Sequence, residues 1–269
     1  MRKIIDLWNV NTFDAELLAV LESNTETLCN YFLREQEIFN TYHRASIFDR
    51  PPVRPENVFA RSFFGVEGLI SNLMKSRSIR AFHNTRLTDD EVETLLSEGI
   101  HLSTPESLRA RLAKLASAGS LTEDEVEILQ DASPFQTQQD IREGMFWMTS
   151  HPLTICDGGL EELLGIWGGE VASFHLRDDK LKAKLSKIGR PRVLEVAVPM
   201  SVSRHVHSSA QAAIATFTAK FGYPSDRKEF DLYVTSPLPS SAILRINSAG
   251  EESFQQMGRS YPESFEGNI

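Results

Sequence analysis

AFHNTRLTDDEVETLLSEGIHLS, residues 81–103, is the stretch on which the fold turns. RAFHNT at 80–85 is a short run of strand-forming character. Thr88 and Glu91 then stand at T-x-x-E spacing ahead of Val92, Leu95 and Leu96. That spacing writes a capping box, in which the threonine hydroxyl takes a free helix amide and the glutamate reaches back to the cap. Gly99 supplies the stop, so a strand feeds a helix. The next helix opens at Ser103 or Thr104 with Pro105 in its first turn. It carries Leu108, Leu112 and Leu115 on one face and stops at Gly119. Thr122 and Glu125 cap a third.

Downstream, MFWMTS (145–150) is a compact apolar strand followed by a turn-rich CDGG, a short helical LEELLGIW and an expected strand EVASFHL (170–176). RVLEVAVPM (192–200) reads as a strand ended by Pro199, and SSAQAAIATFTAKFG (208–222) as a helix stopped at Gly222. KEFDLYVTS and SAILRIN are strands with SPLPSS as the corner between them. Upstream, Phe13, Leu17, Leu18, Leu21, Leu28 and Phe32 recur at mostly helical spacing over 12–39. DRPPVRP (49–55) forbids regular helix by removing amide donors, and the apolar VFARSFFGVEGLISNLM (58–74) follows. The expectation is an α+β protein: a helical N-terminal unit over 1–77, a bent mixed β-sheet domain over 78–248, and a loose polar tail over 249–269.

The 269 residues, 41% hydrophobic and 24% charged, suffice for one large core or two modest ones. A formal charge of −9 argues against broad nonspecific nucleic-acid binding. No run approaches the roughly 20 apolar residues of a membrane span, and Asp6, Asn9 and Asp14 interrupt the opening segment before a signal-peptide core forms. The chain therefore reads as cytoplasmic, without a membrane partner. Cys29 and Cys156 are too few for a disulfide framework and read as small buried hydrophobes. The segment 177–192 reads as a solvated helix and loop, its cations alternating with acids. His205 and His207 would share one face of a strand, but no third ligand with suitable spacing accompanies them, so no metal is expected. His43, His101 and His175 read as surface or satisfied residues. Phosphate-binding, dinucleotide-binding and nucleophile-elbow glycine motifs are absent.

Three segments, AFHNTRLTDDEVETLLSEGIHLS, REGMFWMTSHP (142–152) and KEFDLYVTSPLPSSAILRI (228–246), together resemble the ADP-ribosyltransferase superfamily, in particular its histidine-type branch of poly(ADP-ribose) polymerases and diphtheria-like toxins. The resemblance covers roughly residues 79–247. It implies an ADP-ribosyltransferase-like core that binds NAD as substrate, with His83, Asn84, Thr85, Arg86, Phe146, Trp147 and Ser150 around it. His83 and Glu229 would be catalytic, with Asp231 as the reserve acid. Breaking the nicotinamide–ribose bond builds positive charge on the sugar, so a carboxylate near the ribose stabilises the transition state. A histidine can grip a ribose hydroxyl, an aromatic face can stack, and Arg86 can meet the pyrophosphate.

Asn84 departs from the pattern, standing where the polymerase branch has glycine, and Phe146 replaces its tyrosine. Thr149 and Ser150 instead mimic the serine motif of the arginine-type branch, but Arg80 and Arg86 are then out of place. In ICDGGLEELLGIWGGEV (155–171), Trp167 is either core or the closure of a nicotinamide pocket, with Glu170 touching substrate. The implied activity is transfer of ADP-ribose from NAD to an unidentified macromolecular acceptor, protein or nucleic acid, with a toxin or defence role. The alternatives are NAD glycohydrolysis, RNA phosphotransfer, which the acidic balance disfavours, and a non-catalytic NAD or ADP-ribose binding module.

Overall fold

The computed structural model describes residues 4–44, 46, 48–49, 53–223 and 229–259. Along the chain, α1 (Ala15–Ser23), α2 (Thr25–Ile38) and α3 (Ala60–Met74) precede β1 (Ser78–Leu87). Then come α4 (Asp89–Glu98), α5 (Pro105–Ser117), α6 (Glu123–Asp131), α7 (Gln139–Arg142) and β2 (Phe146–Thr149). Short helices α8 (Glu161–Gly165), α9 (Glu170–Ser173) and α10 (Asp179–Leu185) lead to β3 (Arg190–Pro199). The chain closes with α11 (Val206–Ala219), β4 (Asp231–Val234), β5 (Ile243–Ser248) and α12 (Glu252–Gln256).

Two compact units divide it: Met1–Ile79 with Pro199–Phe230, and Arg80–Val198 with Asp231–Ile269. The expected 78–248 domain is thus not one continuous run, because α11 and its flanks belong with the N-terminal helices.

In the first unit, the helical spacing over 12–39 resolves into α1 and α2, which meet at Asn24 (φ −116°). Ser23, Asn24 and Thr25 all turn their side chains back onto carbonyls of the preceding turn, the competition with backbone bonding that makes these residues poor helix interiors. Asp14 caps α1 through the Leu17 amide and also holds Arg77, Nε to Oδ2 at 2.6 Å. Tyr31 of α2 stacks on Phe63 of α3 with centroids 3.7 Å apart. α3 also packs on α11, which buries Ala210, Ala212, Ala213 and Ala215. Such small side chains let two helix backbones approach closely. His205 lies just before α11 and His207 within it, so the strand expected to carry them is replaced by a helix start. No three-ligand metal cluster occurs among the described residues.

The second unit is built on a five-stranded sheet in the order β4-β2-β1-β3-β5. It is antiparallel, which corrects the expected mixed sheet. Its neighbouring strands are joined by long helical connections rather than tight hairpins, with α4 to α7 lying between β1 and β2 and with α11 and β4 between β3 and β5. The three expected caps form: Thr88 with Glu91, Thr104 ahead of Pro105, and Thr122 with Glu125. Gly99 ends α4 at φ +93°, and a Cβ there would run into the Leu238 carbonyl oxygen. Leu108, Leu112, Leu115, Val126, Leu129, Trp167, Leu181 and Leu185 form one core cluster, and Phe82, Leu160, Leu164, Val193 and Phe254 another.

Several expectations need correcting in this unit. EVASFHL is not a strand: its first four residues form α9, because Gly168 and Gly169 (φ +76° and +54°) turn the chain sharply before Glu170. The tail is not wholly loose, since α12 buries Phe254 and the residue after it, Met257, is buried too. Cys156 is exposed rather than buried, and Cys29 half-buried, both as free thiols. β4 begins at Asp231, so Glu229 precedes it, and Lys228 and Arg227 beside it lie outside the described residues.

Candidate functional site

Within the second unit a cavity of about 810 Å³ opens between β1, α4, α5 and β2. β1 and β2 share the pair Phe82↔Thr149, and next to it the ladder gives way to a side chain: His83 Nδ1 lies 2.8 Å from the Trp147 carbonyl oxygen. A carbonyl can only accept, so Nδ1 carries the proton and Nε2 holds the lone pair. The ring rests on Phe146, centroids 4.3 Å apart.

His83 is half-buried by accessibility, but the protein packed around it dominates its chemistry. Burial pushes its pKa down to about 4, against the Trp147 hydrogen bond and with a further push from the Arg111 charge. At neutral pH the imidazole is therefore uncharged, and its Nε2 makes no hydrogen bond among the described residues.

The α4–α5 wall of the cavity is organised by Glu91. Its carboxylate takes the Thr88 amide at 2.8 Å, the Arg111 Nε at 2.7 Å and the Trp167 indole N–H at 2.9 Å. Burial alone would raise its pKa, but the Arg111 charge and these hydrogen bonds outweigh it and hold the group below the usual glutamate value. Arg111 in turn lies over the Trp167 ring, 4.6 Å to the centroid, a cation–π contact. Trp167 is fully buried: it is core, and does not close the pocket. Glu170 lines the cavity while paired to Arg142 at 2.7 Å.

Of the residues chosen from sequence, His83, Asn84, Thr85, Phe146 and Trp147 line this cavity. Arg86 and Ser150 do not. Arg86 donates to the carbonyls of Ile188, Leu164 and Gly189, which commits its guanidinium to bracing the chain around β3 and leaves it no part in gripping a ligand here. Ser150 is fully buried. Glu229 is exposed, belongs to the first unit and is not among the lining residues. Asp231, its reserve, is a lining residue. It pairs with Thr149 across β2, which pairs with Phe82 on β1, a backbone separation of roughly 10 Å over two strand spacings.

Arg111 and Glu91 were not singled out as site residues, although one signal was present. Leu108, Leu112 and Leu115 define the buried stripe of α5, and position 111 completes its i, i+3, i+4, i+7 pattern. An arginine in that seam needs a partner or a ligand.

Compared with protein-family models, curated proteins and solved structures, the chain matches none.

Proposed function

We propose that this cavity binds NAD and that the chain transfers ADP-ribose from it to a macromolecular acceptor. The observation that carries the reading is His83: a neutral imidazole fixed by Nδ1–H to the Trp147 carbonyl, set against the Phe146 ring, with Nε2 unspent beside a cavity of dinucleotide-accommodating size. In this reading Nε2 accepts a ribose hydroxyl and orients the sugar, while the Phe146 and Trp147 faces take the nicotinamide. Asp231, the lining acid nearest in sequence to the expected one, supplies negative charge as the glycosidic bond breaks. The bonding pair leaves with nicotinamide, the acceptor nucleophile bonds to the ribose anomeric carbon, and the nucleophile's proton passes to solvent.

Incubating the protein with adenylate-labelled NAD in a mixture of protein and RNA acceptors tests this. Label on an acceptor is the expected result. Free ADP-ribose in its place would reassign the chain as a glycohydrolase, and binding without turnover as a sensor module. The absence of both binding and turnover would overturn the proposal.

A further inference from the structure

We infer that Arg111 is the anion-binding group of the cavity and that it receives the diphosphate of the ligand, the role the sequence assigned to Arg86. The ligand's identity as a dinucleotide rests on the function proposed above; the existence of an anion subsite does not.

A guanidinium carries five N–H donors in a rigid fork. In Arg111 the described residues use only the Nε donor, on Glu91. Neither Nη atom has a hydrogen-bond partner among them, and Nη2 is enclosed as well. An enclosed, unpaired donor is costly, and charged ones cost most. The side chain is nevertheless held: Glu91 fixes Nε, the Trp167 ring supports the guanidinium plane, and about a third of the side chain stays accessible on the cavity wall. A guanidinium positioned in advance, with its Nη1 donors unspent, suits charge-assisted recognition of a phosphate oxygen.

Arg86 offers the contrast, since its hydrogen bonds go to the backbone carbonyls of Ile188, Leu164 and Gly189. His83 shares the cavity wall with Arg111. His83 is neutral at pH 7, and its proton affinity is lowered chiefly by burial and additionally by the Arg111 charge. Because both residues line the one cavity, a single ligand can engage His83 through its ribose and Arg111 through its phosphates.

Calorimetric titration of the full chain with nicotinamide, ADP-ribose and inorganic diphosphate tests the assignment, using wild type, Arg111→Gln and Arg111→Lys. ADP-ribose and diphosphate are expected to bind Arg111→Gln about 10- to 100-fold more weakly, with nicotinamide unchanged. Arg111→Lys keeps the charge but loses the fork, and should fall between. It also decides the matter if melting shows that Arg111→Gln leaves Glu91 unpaired and unfolds. Diphosphate binding that depends on Arg111 without any NAD binding would uphold the subsite and remove the dinucleotide reading. Unchanged ADP-ribose affinity in Arg111→Lys and Arg111→Gln, equal losses for all three ligands, or no diphosphate or ADP-ribose binding by wild type would overturn it.

Discussion

Replacing Glu91 by glutamine should destabilise the second unit by about 2–3 kcal/mol. Glutamine retains the length and one acceptor, so the Thr88 cap or the Trp167 indole bond can survive, but the charge that holds Arg111 is lost. Removing one partner of a fully buried ion pair costs about 3–5 kcal/mol. Here Arg111 is 32% and Glu91 17% exposed, and water screens part of that loss. For a unit of this size each kcal/mol moves the midpoint by roughly 2–4 °C, so thermal unfolding followed by far-UV circular dichroism should shift down by roughly 5–10 °C. Glu93→Gln, exposed on the same helix, should stay within about 0.5 kcal/mol of wild type. The sign with pH is fixed as well. A carboxyl whose folded pKa is depressed stabilises above its unfolded value, and that contribution is lost as pH falls through the folded pKa. The gap between wild type and Glu91→Gln should therefore close below about pH 4. A midpoint for Glu91→Gln within 1 °C of Glu93→Gln at pH 7, on the order of the expected scatter, would refute the view that Glu91 organises this wall.

The His83 imidazole should titrate near 4 and show the Nδ1–H tautomer in long-range ¹H–¹⁵N spectra at pH 7; a midpoint near 6.5 would mean that burial does not govern it. Since its folded pKa is lowered, His83 draws stability down as pH drops from about 6.5 toward 4, and His83→Ala should remove that slope while weakening NAD binding and leaving the pH 7 midpoint nearly unchanged. Asp231→Asn should lower NAD turnover by about 10²–10³ while Glu229→Gln leaves it intact, and the reverse result in a steady-state assay would restore Glu229. Gly99→Ala, forced to φ +93° against the Leu238 carbonyl, should cost roughly 2 kcal/mol or more in urea unfolding; wild-type stability would show that the loop simply moves aside.

Much of the second unit was legible because its signals are local. The caps at Thr88, Thr104 and Thr122 are written within four residues, and Pro199 ends β3 where it stands. EVASFHL was misread because β-branched and aromatic residues favour strand only when the backbone permits it, and two positive-φ glycines ahead of it do not. The strand at Asp231 is four residues long, too short for alternation to place Glu229 on a face. Within the candidate site, His83 and Phe146 were readable by position. Glu91, Arg111 and Trp167 are separated by 20 and 56 residues along the chain and meet only through tertiary packing, which no window of sequence contains. Arg86 was chosen for its nearness to His83, yet three carbonyls had a prior claim on it.

The interleaving of the two units bears on how the chain is made. α3 emerges early from the ribosome, but α11, the helix that covers it, is encoded more than 130 residues later. At translation speeds of about 5–20 residues per second, the apolar face of α3 waits on the order of ten seconds for its cover. Meanwhile the caps of α4, α5 and α6 and the β1 segment of the other unit have already appeared. The N-terminal helices therefore cannot finish until α11 has emerged, shortly before β4 and β5 complete the other unit, and a nascent chain stalled before Val206 would display Val66 and Ile70 to any chaperone that reads exposed apolar surface.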